Sequence, residues 1–316
     1  MEIDLPVVLA LGGLFVGSAA LVATFILHAV RSERQRGLIE ANLRGYTENS
    51  EKLLTNSLAI LEQARHLTAS HHLRPELSAY LVNQWQFVEK TFRNRYEKHD
   101  ICRRIVVQNI EEGNCILLDS GSSVDLVTYE LLTAKLKKVR VFSNNVFAAI
   151  HLVGTKEITF NLFAGDFSEK FAAVYSKEFN NRIETLPIGV YILAATAIRF
   201  GKGVMVNKQD RDNADFKSAV LQAFARSEES KLIIAVDATK FIEPTDKHQP
   251  VVSADEWADL LSTHSDRIIV VTSHLRPDAD RAQAAAVDQE LRRFRSAGIE
   301  VDAGTAVDID SRTKAL

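Results

Sequence analysis

The sequence predicts an α/β protein: a mostly parallel sheet with flanking helices, preceded by a single transmembrane helix and a helical stalk. Three observations carry this. An uncharged apolar run lies near the N-terminus, a helical periodicity without strand pattern extends to about residue 99, and short β-branched runs then alternate with amphipathic segments. The resulting division is an anchor over 1–30, a stalk over 31–99, an α/β domain over 100–303 and a flexible tail over 304–316.

From Leu5 to Val30 there is no Asp, Glu, Lys or Arg. At roughly 1.5 Å of rise per residue the run is about 39 Å long, enough to cross a hydrocarbon core of about 30 Å with some tilt. A secretory signal wants a basic start and an apolar core of about 7–15 residues. Here the start is Met1-Glu2-Ile3-Asp4 and the apolar run is longer. Arg31, Arg34 and Arg36 follow the span and no Lys or Arg precedes it. The positive-inside bias therefore predicts a single-pass protein of the inner (cell) membrane, N-terminus outside and C-terminal domain cytoplasmic. The only cysteines, Cys102 and Cys115, suit a reducing compartment and give neither a disulfide framework nor a zinc spacing. Gly13 and Gly17 form a small-x-x-x-small pair that lets two helices approach closely in lipid. Self-association through that face is one reading; the other is that glycine is common in membrane helices.

In the stalk, Ile39, Leu43, Tyr46, Leu53, Ile60, Ala64 and Leu67 follow steps of three and four, with Ser50 and Ser57 filling the gaps. Leu54, Leu58 and Leu61 widen the apolar face, so a hairpin or bundle fits as well as a coiled coil. A break precedes Pro75, and a second helix is expected from about Glu76 to Glu97. His66, His71 and His72 lack the carboxylate or thiol pattern of a metal site and read as exposed loop histidines.

Beyond residue 101, strands are predicted at Cys115–Asp119, Val139–Ser143, Ile158–Phe163, Val190–Leu193, Lys231–Asp237, Arg267–Thr272 and Ile299–Val301. Helices are expected over Val124–Leu136, Val146–Leu152, Asp215–Ala225, Ala254–Thr263 and Asp278–Ser296. Continuous apolar strands alternating with helices indicate a parallel sheet covered on both faces.

Ligands of such sheets gather at the carboxyl ends of the strands. The first strand ends Asp119-Ser120-Gly121-Ser122-Ser123 and runs into a helix: a tight turn with hydroxyls beside helix N–H groups, suited to phosphate or to plain N-capping. The second ends Ser143-Asn144-Asn145 and the third Ala164-Gly165-Asp166. The fifth ends Asp237-Ala238-Thr239-Lys240-Phe241, where Lys240 can complement a phosphate or pair with Asp237.

These residues, in this order, resemble the C-terminal effector-sensing domain of DeoR-type transcriptional repressors. Its wider superfamily includes ribose-5-phosphate isomerase, CoA transferases and the initiation-factor 2B subunits. The resemblance runs from about Asp100 to Pro277. It rests on Asp119 to Ser123, preceded by Ile110-Glu111-Glu112-Gly113-Asn114, on Ser143-Asn144, on Ala164-Gly165 and on Asp237, Lys240 and Phe241. Ala164 replaces a family glycine, and Thr196 to Gly203 replaces a segment that normally carries an early aspartate. The resemblance implies binding of phosphorylated sugars or related metabolites, with the first loop on the phosphate and Lys240 in additional contact. Asp119, Ser120, Gly121, Ser122, Ser123, Ser143, Asn144, Gly165, Asp237 and Lys240 are thus the candidate ligand-binding residues. No catalytic residue, cofactor or metal is implied.

An isomerase needs a general base beside the sugar carbon, yet Ala194-Ala195-Thr196-Ala197 stands where isomerase relatives carry an acidic cluster. A net charge of −3 argues against a general nucleic-acid binder. The basic run Lys90 to Arg104 is interleaved with Glu89, Glu97 and Asp100, the pattern of a solvated helical face. The expected partners are a phosphorylated small molecule, the membrane, further copies of the chain and an unidentified protein. The function expected is a membrane-anchored cytoplasmic sensor that signals through the stalk. The alternatives are a sugar-phosphate isomerase-like enzyme and a non-binding oligomerisation scaffold.

Overall fold

The computed structural model describes residues 94–152, 155–168, 171–274 and 281–304. The expected span with Gly13 and Gly17, the stalk to residue 93, its histidines and the tail beyond Gly304 lie outside the described residues. Among the described residues no helix is long and apolar enough to cross a membrane.

The chain enters with helix α1 (Arg95–Asn109) and continues through β1 (Cys115–Leu118), α2 (Leu126–Thr133), β2 (Val139–Ser143), α3 (Val146–Leu152) and β3 (Ile158–Leu162). A hairpin of β4 (Asp166–Ser168) and β5 (Ala173–Tyr175) follows, then a short α4 (Lys177–Asn180) and β6 (Val190–Ala194). Next come β7 (Ala197–Arg199), β8 (Gly203–Asn207), α5 (Arg211–Arg226), β9 (Lys231–Ala235) and β10 (His248–Pro250). The last elements are α6 (Ala254–His264), β11 (Ile268–Val271), α7 (Arg281–Ser296) and β12 (Glu300–Asp302).

Seven strands form one parallel sheet in the order β12-β11-β9-β6-β1-β2-β3. They coincide with the seven β-branched runs, and the central strands β1, β6, β9 and β11 are buried along nearly their whole length, as strands covered on both faces are. Alternate residues feed two cores. Leu117, Tyr191, Leu193, Leu232, Ile234 and Val270 meet Phe216, Val220 and Phe224 of α5, Trp257 of α6 and Phe294 of α7. Ile116, Leu118, Val141, Ile192, Ile233 and Val271 meet Ile101 and Ile105 of α1, Val127 and Leu131 of α2 and Leu152 of α3. Two small antiparallel sheets, β10-β8-β7 and β4-β5, are additions to the expected architecture.

The helix expected to run through Glu97 as one element does not pass residue 94. Asn94 adopts φ 56°, ψ 38°, a left-handed conformation, and α1 begins after it. Asparagine tolerates that region better than other non-glycine residues. Its side chain is also held there, donating to Asp237 Oδ1 at 3.2 Å. α1 then continues well past the expected end. Its buried stripe of Ile101, Cys102, Ile105 and Val106 packs on the sheet and α2. Arg104 fastens it to the far strands, bonding Asp100, Asp302 and the carbonyl of Thr272.

Candidate functional site

The strand order reverses between β1 and β6. The chain builds outward one way through β2 and β3 and the other way through β9, β11 and β12. In a parallel sheet a reversal leaves a crevice at the carboxyl ends of the two strands, since the loops leaving them turn to opposite faces. The residues after Leu118 and Ala194 line it.

Asp119 is fully buried at the tip of β1. Its Oδ2 accepts from the Ala194 amide at 3.0 Å and from Lys217 Nζ, which also donates to the Ala194 carbonyl at 2.9 Å. Burial pushes the Asp119 carboxyl upward, against the pull of the Lys217 ammonium and of the Ala194 and Ser120 amides. Asp119 thereby ties β1 to β6 and α5, while its Oδ1 is buried without a hydrogen-bond partner. Gly121 follows where a Cβ would come within 2.9 Å of Ala194 Cβ. Only glycine lets the loop lie this close to β6 without displacement.

The loop then leaves donors unmatched. Val124 and Asp125 donate back to the Gly121 carbonyl, but the amides of Gly121, Ser122 and Ser123 find no acceptor among the described residues. Such amides ahead of a helix are a ready anion seat. Ser122 Oγ accepts from Lys98 Nζ at 3.1 Å, and the Ser123 carbonyl accepts from Cys102 Sγ at 3.1 Å. Ser120 Oγ lies 3.2 Å from Tyr175 Oη and accepts from Asn144 Nδ2 at 3.4 Å. Burial, then the negative Asp119, Asp210 and Asp212, raise the Tyr175 phenol against the Ser120 hydrogen bond, so it stays protonated.

The other candidates divide into two groups. Asn144 is fully buried with Oδ1 unpartnered, and Asp237 is buried with Oδ2 unpartnered. Both present acceptors at the carboxyl edge. The half-buried Lys240 side chain forms no hydrogen bond or ion pair among the described residues; its backbone amide donates to the Asp237 carbonyl at 2.9 Å. The Asp237 carboxylate engages Asn94 and Thr239, so the alternative of an Asp237–Lys240 ion pair is not formed. Two residues serve the scaffold: Ser143 Oγ donates to the Leu118 carbonyl at 2.6 Å and receives the Asn145 amide at 2.9 Å. Gly165 belongs to the β4-β5 hairpin, where a Cβ would stand 2.2 Å from the Tyr175 carbonyl oxygen. Neither offers a free group to the crevice.

Lys217, Lys98, Asn94 and Tyr175 join the site without having been read from the sequence. A signal existed for the lysines. Lys217 sits in the apolar stripe of α5 between Phe216 and Val220, and Lys98 precedes Ile101, Cys102 and Ile105 at the same spacing. A lysine on a buried helical face has a partner waiting. Among the described residues no group of three His, Cys, Asp or Glu side chains gathers to hold a metal ion.

Residues 93–247 match the family of the DeoR C terminal sensor domain. No curated protein matches the chain. Among solved structures the chain is similar to ribose 5-phosphate isomerase from Plasmodium falciparum, with 17% identity over 46% of this chain and 52% of that one, TM-score 0.31. It is also similar to translation initiation factor eIF-2B from Pyrococcus horikoshii OT3, with 16% identity over 47% and 48%, TM-score 0.34. For eIF2B beta from Chaetomium thermophilum the values are 14%, 66% and 60%, with TM-score 0.36. The chain spans about half the length of the isomerases it matches.

Proposed function

We propose that this protein is a membrane-anchored cytoplasmic sensor whose α/β domain binds a phosphorylated sugar or nucleotide-like metabolite and signals through its N-terminal helices to the membrane or a protein partner. One observation carries the reading. At the switch point, the unmatched amides of Gly121, Ser122 and Ser123 lie among buried acceptors that also lack partners, Asp119 Oδ1, Asn144 Oδ1 and Asp237 Oδ2. Buried polar groups left unpaired are costly, at about 1–3 kcal/mol each. A phosphate satisfies the amides and hydroxyl groups satisfy the acceptors, so a polyol phosphate answers both needs at once. Lys240 supplies a cation near the phosphate. Asp119 is already engaged by Lys217, which fits a holding role better than proton transfer.

The test is thermal unfolding of the full chain against inorganic phosphate, ribose 5-phosphate, fructose 6-phosphate and AMP. A ligand at 100 times its Kd stabilises by about 2.7 kcal/mol. At least one phosphorylated metabolite raises Tm, and Lys240→Ala and Ser122→Ala reduce the rise. Failure of every compound to shift Tm, or an unchanged response in both variants, refutes the assignment.

A further inference from the structure

We infer that the outer edge of β3 is the surface through which two copies of this chain dock, antiparallel, so that their seven-stranded sheets continue into one another. β3 ends the sheet on one side and pairs, among the described residues, with β2 alone. The Phe163 amide donates inward, to the Ser143 carbonyl at 2.9 Å. Backbone groups alternate in direction along a strand, so those of Ile158, Phe160 and Leu162 face away from β2. The outward groups of Phe160 and Leu162 have no partner among the described residues.

The two edges of the sheet differ. β12 is three residues long, with Glu300 exposed and Asp302 held by Arg104. A short strand carrying charges is a poor template for another chain. β3 runs Ile158-Thr159-Phe160-Asn161-Leu162, five residues without a charge. Leu162 is 42% exposed, and Phe167, five residues further on, is 56% exposed. An uncharged edge with open apolar side chains pairs with another strand unless something covers it.

The sequence of this edge matches its own copy. With a two-fold axis at Phe160, Ile158 of each copy lies opposite Leu162 of the other, and Phe160 opposite Phe160. All three residues turn their backbone groups outward, so each opposed pair exchanges two hydrogen bonds. Ile158 and Phe160 pack toward the core that β3 shares with α1, α2 and α3, and strand alternation puts Leu162 on the same side. Docking therefore carries the apolar row across the join, while Thr159 meets Asn161 as a polar pair on the other face. The flanking charges set the direction. Exposed Lys156 and Glu157 precede the strand and exposed Asp166 follows it. Parallel docking would place each charge against its own kind, whereas antiparallel docking sets Lys156 of each copy toward Asp166 of the other. Such a two-fold contact uses both β3 edges and closes, giving a dimer and not a fibre.

The test uses the full chain in detergent over a range of protein concentrations, read by sedimentation equilibrium, oxidative cross-linking and hydrogen exchange. Opposed residues of a non-hydrogen-bonded pair stand about 4.5 Å apart between Cα atoms, within disulfide reach. A chain carrying Thr159→Cys and Asn161→Cys together is expected to form a covalent dimer on oxidation. The wild type, with Cys102 buried and Cys115 half-buried, is expected to form none. Leu162→Lys, at an exposed position, should weaken dimerisation tenfold or more and leave Tm unchanged. In the wild type, exchange at the Phe160 and Leu162 amides should slow as the dimer forms. A chain that stays monomeric at every concentration overturns the inference. So does a dimer that withstands Leu162→Lys or fails to cross-link through positions 159 and 161, since its contact then lies elsewhere. Protection of the Phe160 and Leu162 amides in the monomer also overturns it, because another segment of the same chain then covers the edge. That last measurement needs no variant, so it decides even where a substituted chain fails to fold.

Discussion

Lys217 and Asp119 fasten β1 to β6 and α5 beneath the loop that follows β1. Each is almost fully buried, and each also bonds the backbone of Ala194. Removing one partner of such a pair leaves an uncompensated charge, at a cost of about 3–5 kcal/mol. Lys217→Met is therefore expected to lower stability by that amount in urea unfolding. Adding Asp119→Asn, which keeps an acceptor for the Ala194 amide without the charge, recovers part of the loss. Full additivity of the two changes would mean that the residues do not act as a pair. The loop residues Ser120 to Ser123 were legible in the sequence because a strand, a glycine and hydroxyls stand next to one another. The residues that complete the site were not, since they come from elements dozens to more than a hundred positions away and each looks ordinary in its own helix.

Among the elements, α1 was the hardest to read. Its buried stripe is broken by Asp100, Arg103 and Arg104, which resemble a solvated face until the fold pairs them. The central parallel strands β1, β6 and β11 had no such ambiguity, being unbroken apolar runs. Of the accessory strands, β4, β5, β7 and β10 were missed because they are three residues long and include Asp166, Arg199 and Pro250; β8, five residues and buried, was missed although its Val204-Met205-Val206 run carried a strand signal. The α1 clasp has a pH signature. Burial alone would raise the Asp100 carboxyl, but the hydrogen bonds and charges of Arg103 and Arg104 outweigh it and hold Asp100 below the usual range. A depressed carboxyl stabilises the fold above its unfolded pKa of about 3.9, and the contribution is lost as pH falls through the lower folded value. Hydrogen exchange in α1 should accordingly accelerate as pH drops below about 4, after correction for intrinsic rates. Asp100→Asn should flatten that dependence and weaken the clasp at neutral pH. An identical pH profile in wild type and Asp100→Asn would show that the clasp does not depend on this carboxylate.

For the whole molecule, the proposed anchor can be tested without the α/β domain. The full chain is expected to sediment with membranes and resist carbonate extraction, whereas a chain lacking residues 1–30 is expected in the supernatant. Recovery of the full chain in the carbonate supernatant would remove the anchor from the proposal. The sheet order has a consequence for how the protein is made. Asp119 and the Ala194 amide that receives it are 75 residues apart, and Lys217 is 98 residues from Asp119. At a synthesis rate of about 5–20 residues per second, the ribosome delivers β1 some 4–15 s before β6, and Lys217 later still. During that interval β1 has one neighbour and a bare edge, the kind of surface that chaperones cover and that other chains pair with. The crevice therefore comes into being late and all at once, when the second half of the sheet closes on a first half that has been waiting for it.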